Sequence, residues 1–194
     1  MELFLFGSSF WPQIFNISKT NFELTWTCAD MAQTRGVDPT TVLPRSEWQA
    51  VLCETVIETF STMAGVVVTV PHEMSPPNLA QMTGVIGIAG QIRAIFSLRC
   101  SQKCAIAIAS KMLGIAVDDP GAEKVASDAV GEVCNVVAGY FKAKIGLGDK
   151  GSLSLPTIVI GKSYTIHLGS GCERLEFPLL FEGEALWLTL DIRE

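Results

Sequence analysis

The sequence predicts an α+β fold, an antiparallel β-sheet packed by long helices and arranged as two pseudo-symmetric halves. Three observations carry that prediction. The elements read in the order helix, strands, helix, helix, strands. A long amphipathic stretch runs from about 121 to 145, far longer than any predicted strand. The first helix, shifted by 74 positions, also lies on the third with matching residues.

Composition fits one domain with a sizeable core. The chain has 194 residues, 48% of them apolar and 18% charged. A net charge of -6 and a pI near 5.0 argue against nucleic acid or an anionic membrane as the main partner. No apolar run reaches the length of a membrane span, and the first residues lack a basic start and a small-residue cleavage site. The six cysteines, Cys28, Cys53, Cys100, Cys104, Cys134 and Cys172, are scattered and read as reduced, mostly buried small apolar residues. A cytoplasmic protein is expected.

Residues 1–45 carry Phe10, Trp11, Phe15, Phe22 and Trp26 without a clear period, and Asp38-Pro39 and Leu43-Pro44 punctuate their end. They are expected to form a poorly structured arm before a domain at 46–194, and Met31 could begin a sensible chain. Ser46 is placed to cap a first helix, with Gln49 in capping-box spacing and Gly65 as its stop. Trp48, Leu52, Val56, Phe60 and Met63 form its apolar stripe. Val66-Val67-Val68-Thr69-Val70 reads as a strand ended by Pro71. Residues 82–89 and 93–98 read as a hairpin about Gly90 and Gln91. Ser101 starts a second helix and Gly114 stops it. Asp118-Asp119-Pro120-Gly121 is a turn that feeds the long third helix and sets acidic residues at its positive end. A loop at 146–151 follows, then strands at about 153–160, 164–167, 174–181 and 186–192.

The third helix holds the unusual feature. At 100° per residue, Asp128, Gly131, Glu132, Asn135, Gly139 and Lys142 fall within a stripe about 100° wide. Apolar residues fill the rest of the surface, so the stripe is the face left for water or a partner. Glu132 and Asn135 are neighbours at i and i+3. Each glycine in a helix interior costs roughly 1 kcal/mol against alanine. Glycines on a polar stripe open a trough into which another backbone fits. The plain alternative is a solvated face with two tolerated glycines. In the first helix, Glu54 and Glu58 match Asp128 and Glu132, while Ser61 stands where the third helix has Asn135. Each helix leads into a strand-rich segment, as expected of an old duplication that kept its Glu/Asn pair in the second half only.

These residues resemble the CheC/CheX family of chemotaxis phosphatases. The family signature is an acidic or small polar residue, three residues, Glu, two residues, Asn, and a proline some twenty residues on. Here it is Asp128, Glu132, Asn135 and Pro156, with the proline slightly closer than usual. Glu58-Thr-Phe-Ser-Thr-Met63-Ala-Gly65, Met112-Leu-Gly114, Leu155-Pro156-Thr157-Ile158-Val159-Ile160-Gly161, Phe177-Pro178 and Phe181-Glu182-Gly183 fit too. The likeness covers about 46–194, and its single Glu/Asn pair looks like the CheX branch. The resemblance implies hydrolysis of the aspartyl phosphate on a CheY-type response-regulator receiver. Asn135 would then orient the attacking water, and Glu132 would pair with the receiver's lysine. Asp128, Gly131, Gly139 and Lys142 would line the docking face. Mg²⁺ would come with the receiver, and the chain would bring no cofactor of its own. A homodimer is implied as well.

Other signals are weaker. Cys100 and Cys104 lack the spacing of a common zinc or redox motif, and His72 and His167 stand apart from other ligand types. Gly84, Gly87 and Gly90 lie in a strand with no helix after them, so packing explains them better than a phosphate loop. Cys134 points about 100° away from Asn135 around the helix and is not expected to be a nucleophile. Two other functions compete: a non-catalytic module that binds receivers or the flagellar switch, and a structural dimer with a merely solvated stripe.

Overall fold

The computed structural model describes residues 42–71, 81–161, 164 and 171–193. Residues 1–41, residues 72–80 and most of the strand expected at 164–167 lie outside them. So do His72 and His167.

The first helix, α1, spans Trp48–Ala64. Its start corrects the capping-box reading. Ser46 sits inside a 3₁₀ turn, Arg45–Glu47, and no side chain caps the helix. The indole of Trp48 does the holding instead, donating from Nε1 to the Leu43 carbonyl at 2.9 Å. Gly65 ends the helix in the left-handed conformation, as expected. The strand expected at 66–70 reduces to one bridge, Thr69 to Leu180, although Val68 is fully buried. The β-branched run there signals packing more than a ladder.

Strands β1 (Met82–Gly90) and β2 (Arg93–Cys100) form the expected hairpin, in register from Met82–Cys100 to Ile88–Ala94. Gly90 belongs to β1, and the turn is Gln91 and Ile92. With φ at 140° and the Lys150 carbonyl oxygen 2.2 Å from where a Cβ would stand, position 90 admits only glycine. Helix α2 (Gln102–Leu113) is capped by Ser101, whose hydroxyl accepts from the Cys104 N–H, and it stops at Gly114.

The expected third helix is two. Asp119 caps a short α3 (Pro120–Lys124), the backbone leaves helical geometry at Val125, and α4 runs over Ala126–Lys144. No Gly or Pro marks the break, which is why periodicity reads through it.

The run expected at 153–160 also divides. β3 (Gly151–Leu153) and β4 (Thr157–Ile160) both pair with β1. Two residues of β1, Ile86 and Gly87, stand opposite three, Ser154, Leu155 and Pro156. This is a β-bulge. Pro156 has no N–H to give to the ladder. Ser154 holds the bulge, accepting the Gly87 N–H at its hydroxyl at 2.9 Å and donating to the Leu155 carbonyl at 2.9 Å. β5 (Glu173–Phe181) and β6 (Glu184–Arg193) form a second hairpin.

The sheet order is β3–β1–β2–β6–β5, with β4 also on β1. One face packs under α1, α2 and α4. Ile86, Phe96, Leu98, Leu179, Leu188 and Leu190 point into that layer at period two and are fully buried. Trp48 meets Phe141 edge-on with centroids 5.9 Å apart, which joins α1 to α4. The two hairpins lie about a pseudo-twofold axis between β2 and β6. β1 and β2 begin 91 residues before β5 and β6 respectively, since Met82 precedes Glu173 and Arg93 precedes Glu184 by that interval.

Candidate functional site

Helix α4 buries most of its apolar side, with Val136 half-buried and Tyr140 exposed. Val130, Val133, Cys134, Val137 and Phe141 show no exposure, packed on α1, α2 and the sheet. Asp128, Glu132 and Asn135 are exposed on the opposite side. Among the described residues, none of the three has a hydrogen-bond or ion-pair partner. Gly139, one turn beyond Asn135, is half-buried.

Two members of the stripe lie elsewhere than expected. Gly131 is buried: a Cβ there would lie 3.5 Å from Ile158 Cδ1 and 3.8 Å from Pro156 Cβ. The trough expected for a partner's backbone is filled at that point by the protein's own edge strand. Lys142 is also taken up internally. Its Nζ donates to the Gly148 carbonyl at 2.7 Å and the Gly151 carbonyl at 2.9 Å, closing the loop after α4. Both residues lie on the β3–β4 flank of the stripe. The open face is therefore shifted away from that flank: Asp128, Glu132, Asn135 and Gly139 span about 60° of arc, and beyond Glu132 Val136 is half-buried and Tyr140 exposed.

The bulge borders this face. A Cβ on Gly139 would touch Leu153 Cδ1 at 3.9 Å, and one on Gly131 would touch Pro156. From 131 to 139 the helix rises about 12 Å. From 153 to 156 a strand advances about 10 Å. Helix and edge therefore run side by side in opposite directions, and Ser154 and Leu155 come level with Asn135. Leu155 is 87% exposed, the most exposed large apolar side chain among the described residues. The sequence reading missed it. Its signal was Pro156 inside a strand-like run, which marks an edge or a bulge.

Cys134, beside the acid/amide pair in sequence, is fully buried, and that burial pushes its thiol well above the ordinary range. Burial likewise pushes the Cys53 thiol up to about 12. Neither is a ready nucleophile. Among the described residues no three His, Cys, Asp or Glu side chains gather as a metal site, so Asp128 and Glu132 stand without the further hard ligands that a cation takes. No helix among them is long and apolar enough to cross a membrane.

A single antiparallel sheet lies under α1, α2 and α4, and α4 presents Glu132 and Asn135 to solvent. The family described as "Chemotaxis phosphatase CheX" matches residues 82–180, a stretch that contains Glu132, Asn135 and Pro156, and the chain belongs to that family. The chain is similar to a chemotaxis protein CheX from Desulfovibrio desulfuricans, with 23% identity, a TM-score of 0.64, and coverage of 76% of this chain and 99% of the other. A chemotaxis protein from Desulfovibrio vulgaris Hildenborough is 26% identical at a TM-score of 0.63, over 76% of this chain and 97% of that one. A chain of the CheX–CheY–BeF₃–Mg²⁺ complex from Borrelia burgdorferi is 19% identical at a TM-score of 0.62, over 77% and 100%. No curated protein matches the chain.

Proposed function

We propose that this protein hydrolyses the aspartyl phosphate of a CheY-type response-regulator receiver, with Glu132 and Asn135 as the residues that act. The observation that carries this reading is the state of the pair: both side chains are exposed, adjacent on α4 and without a partner among the described residues. The family and the neighbouring CheX–CheY complex supply its context.

An acyl phosphate needs an in-line water and stabilisation of spreading charge, with little covalent work from the enzyme. The Asn135 amide donates and accepts at once, so it orients a water without repelling a phosphate. Glu132 is an anion one turn away, suited to dock against a cation such as the receiver's lysine. Asp128 and Gly139 extend the contact along the open face. Mg²⁺ belongs to the receiver, where it neutralises phosphate charge. The reading carries with it a cytoplasmic homodimer, whose mass sedimentation in solution would report.

The test is the loss of acyl phosphate from a phosphorylated CheY-type receiver of the same organism, with the parent protein, with Asn135→Ala and with neither. Acceleration by the parent alone is the expected result. A receiver that binds but loses phosphate at its intrinsic rate would replace the enzyme with a docking module.

A further inference from the structure

Leu155 is an exposed apolar side chain held rigidly in place. The bulge at 154–156 displaces it from the ladder, since Ile86 and Gly87 can oppose only two of the three residues there. Ser154 pins the backbone on one side through hydrogen bonds to Gly87 and Leu155. Pro156 fixes the other side, with φ locked by its ring and its Cβ seated over Gly131. Leu155 stands level with Asn135 beside the open face of α4.

We propose that Leu155 is an apolar anchor for the receiver, contacting it beside its phosphorylated carboxylate and setting the depth at which Asn135 meets the phosphoryl group. This rests on the function proposed above. Its argument is one of distance and chemistry. A water held by Asn135 lies about 3 Å from the amide, so a partner close enough to be attacked there must pass the edge that carries Leu155 at the same level of α4. The pair contributes only polar contacts, and those in water give little net affinity. An apolar side chain at the rim contributes the part of binding that does not depend on charge, and rigid display limits the entropy lost on docking. The bulge adds an apolar point of contact beside two acids, an amide and a glycine.

The test uses the full chain and two variants, Leu155→Ser and Leu155→Met. Affinity is measured for the CheY-type receiver charged with beryllofluoride and Mg²⁺. Single-turnover dephosphorylation is measured at saturating protein, and sedimentation velocity gives mass. Leu155→Ser should weaken binding by about 10-fold or more, as loss of even one buried methylene does, while the saturated rate stays within about two-fold. Leu155→Met should restore binding. A side chain this exposed carries none of the fold, so unchanged circular dichroism is expected in both. Unchanged receiver affinity in Leu155→Ser would overturn the anchor while leaving the function intact. The same result with a fall in mass would assign Leu155 to contact between copies of this chain. A parent protein that binds no receiver would overturn the proposed function itself, and the anchor with it.

Discussion

Lys144 of α4 reaches back to α1, its Nζ 2.6 Å from Glu58 Oε2, and the same ammonium stands 3.4 Å from Glu54 Oε1. In the 74-residue alignment of the two helices, Glu54 and Glu58 are the counterparts of Asp128 and Glu132. The acids of the first copy are therefore tied into the packing of α1 on α4, while those of the second stay open. Ser61 stands where α4 has Asn135. It carries a short hydroxyl in place of an amide and cannot place a water at the same reach. Alanine at Glu58 or Ser61 should leave phosphatase activity within a few-fold of the parent. All three side chains of the ion pair are about one-third exposed, so Lys144→Ala should cost no more than about 1 kcal/mol in chemical denaturation. A loss of activity in Glu58→Ala as large as in Asn135→Ala would mean two working sites.

Glu132 and Asn135 should separate kinetically. Alanine at either should change stability by no more than about 0.5 kcal/mol, since both are exposed and bond to nothing described. On the proposed function, Asn135→Ala removes a group used mainly in the transition state, so the maximal rate should fall with receiver binding largely kept. Glu132→Ala removes a docking charge, so binding and rate should fall together. Asn135→Asp keeps the shape but puts a negative charge beside the phosphate, and it should be about as damaging as alanine. The measurements are single-turnover dephosphorylation and binding to the beryllofluoride-charged receiver. Retained rate in Asn135→Ala, with binding intact, would remove the residue from the mechanism.

Three glycines should answer differently to alanine. At Gly131 a Cβ would make only ordinary contacts with Ile158 and Pro156. Helix propensity then favours the substitution by roughly 1 kcal/mol, and the melting temperature should rise. Because the protein's own strand covers this position, receiver affinity should not change. At Gly139, on the open face, the fold should gain similarly but receiver binding should weaken. At Gly84 a Cβ would lie 2.5 Å from Cys134 Sγ and 3.2 Å from a Val130 methyl, inside the packed layer. Overpacking there should destabilise by about 1–3 kcal/mol. A lowered melting temperature for Gly131→Ala would contradict the contact geometry.

Elements whose signals are local were legible in the sequence. Gly65 and Gly114 stop their helices in the left-handed conformation, Ser101 caps α2, and the β1–β2 hairpin forms where alternation predicts it. What was not legible depended on contacts distant in sequence. The Trp48 indole replaces a side-chain cap by bonding Leu43, and Val125 interrupts a periodic run without Gly or Pro. The stripe on α4 was visible as a pattern, and its three exposed polar members follow from the helical period. Periodicity could not say that β4 would lie over Gly131 or that the loop carbonyls would take Lys142. A hydrophobic pattern records which side of a helix is buried, not which neighbour wraps the edge of the other.

The boundary of the domain yields a graded truncation test. Sequence places it at 46, but Val42 and Leu43 pack against the core, and the Leu43 N–H donates to the Ile145 carbonyl at 2.9 Å. Ile145 follows the last turn of α4, so this bond ties the segment before α1 to the end of the helix that carries Glu132 and Asn135. The Leu43 carbonyl in turn accepts from Trp48, which packs on Phe141. A chain beginning at Met31 keeps all of these contacts and should melt within a degree or two of the parent with its activity retained. A chain beginning at Ser46 loses the Leu43–Ile145 and Trp48–Leu43 hydrogen bonds, each worth about 1 kcal/mol net, the bonds from the Glu47 and Trp48 N–H groups to the Pro44 and Arg45 carbonyls, the Arg45–Glu173 ion pair, and the burial of Val42 and Leu43. It also leaves the Trp48 N–H without its acceptor inside a buried site. It should melt several degrees lower. Equal melting of the two truncations would move the boundary back to 46, and strong destabilisation of the longer one would make the earlier residues part of the core.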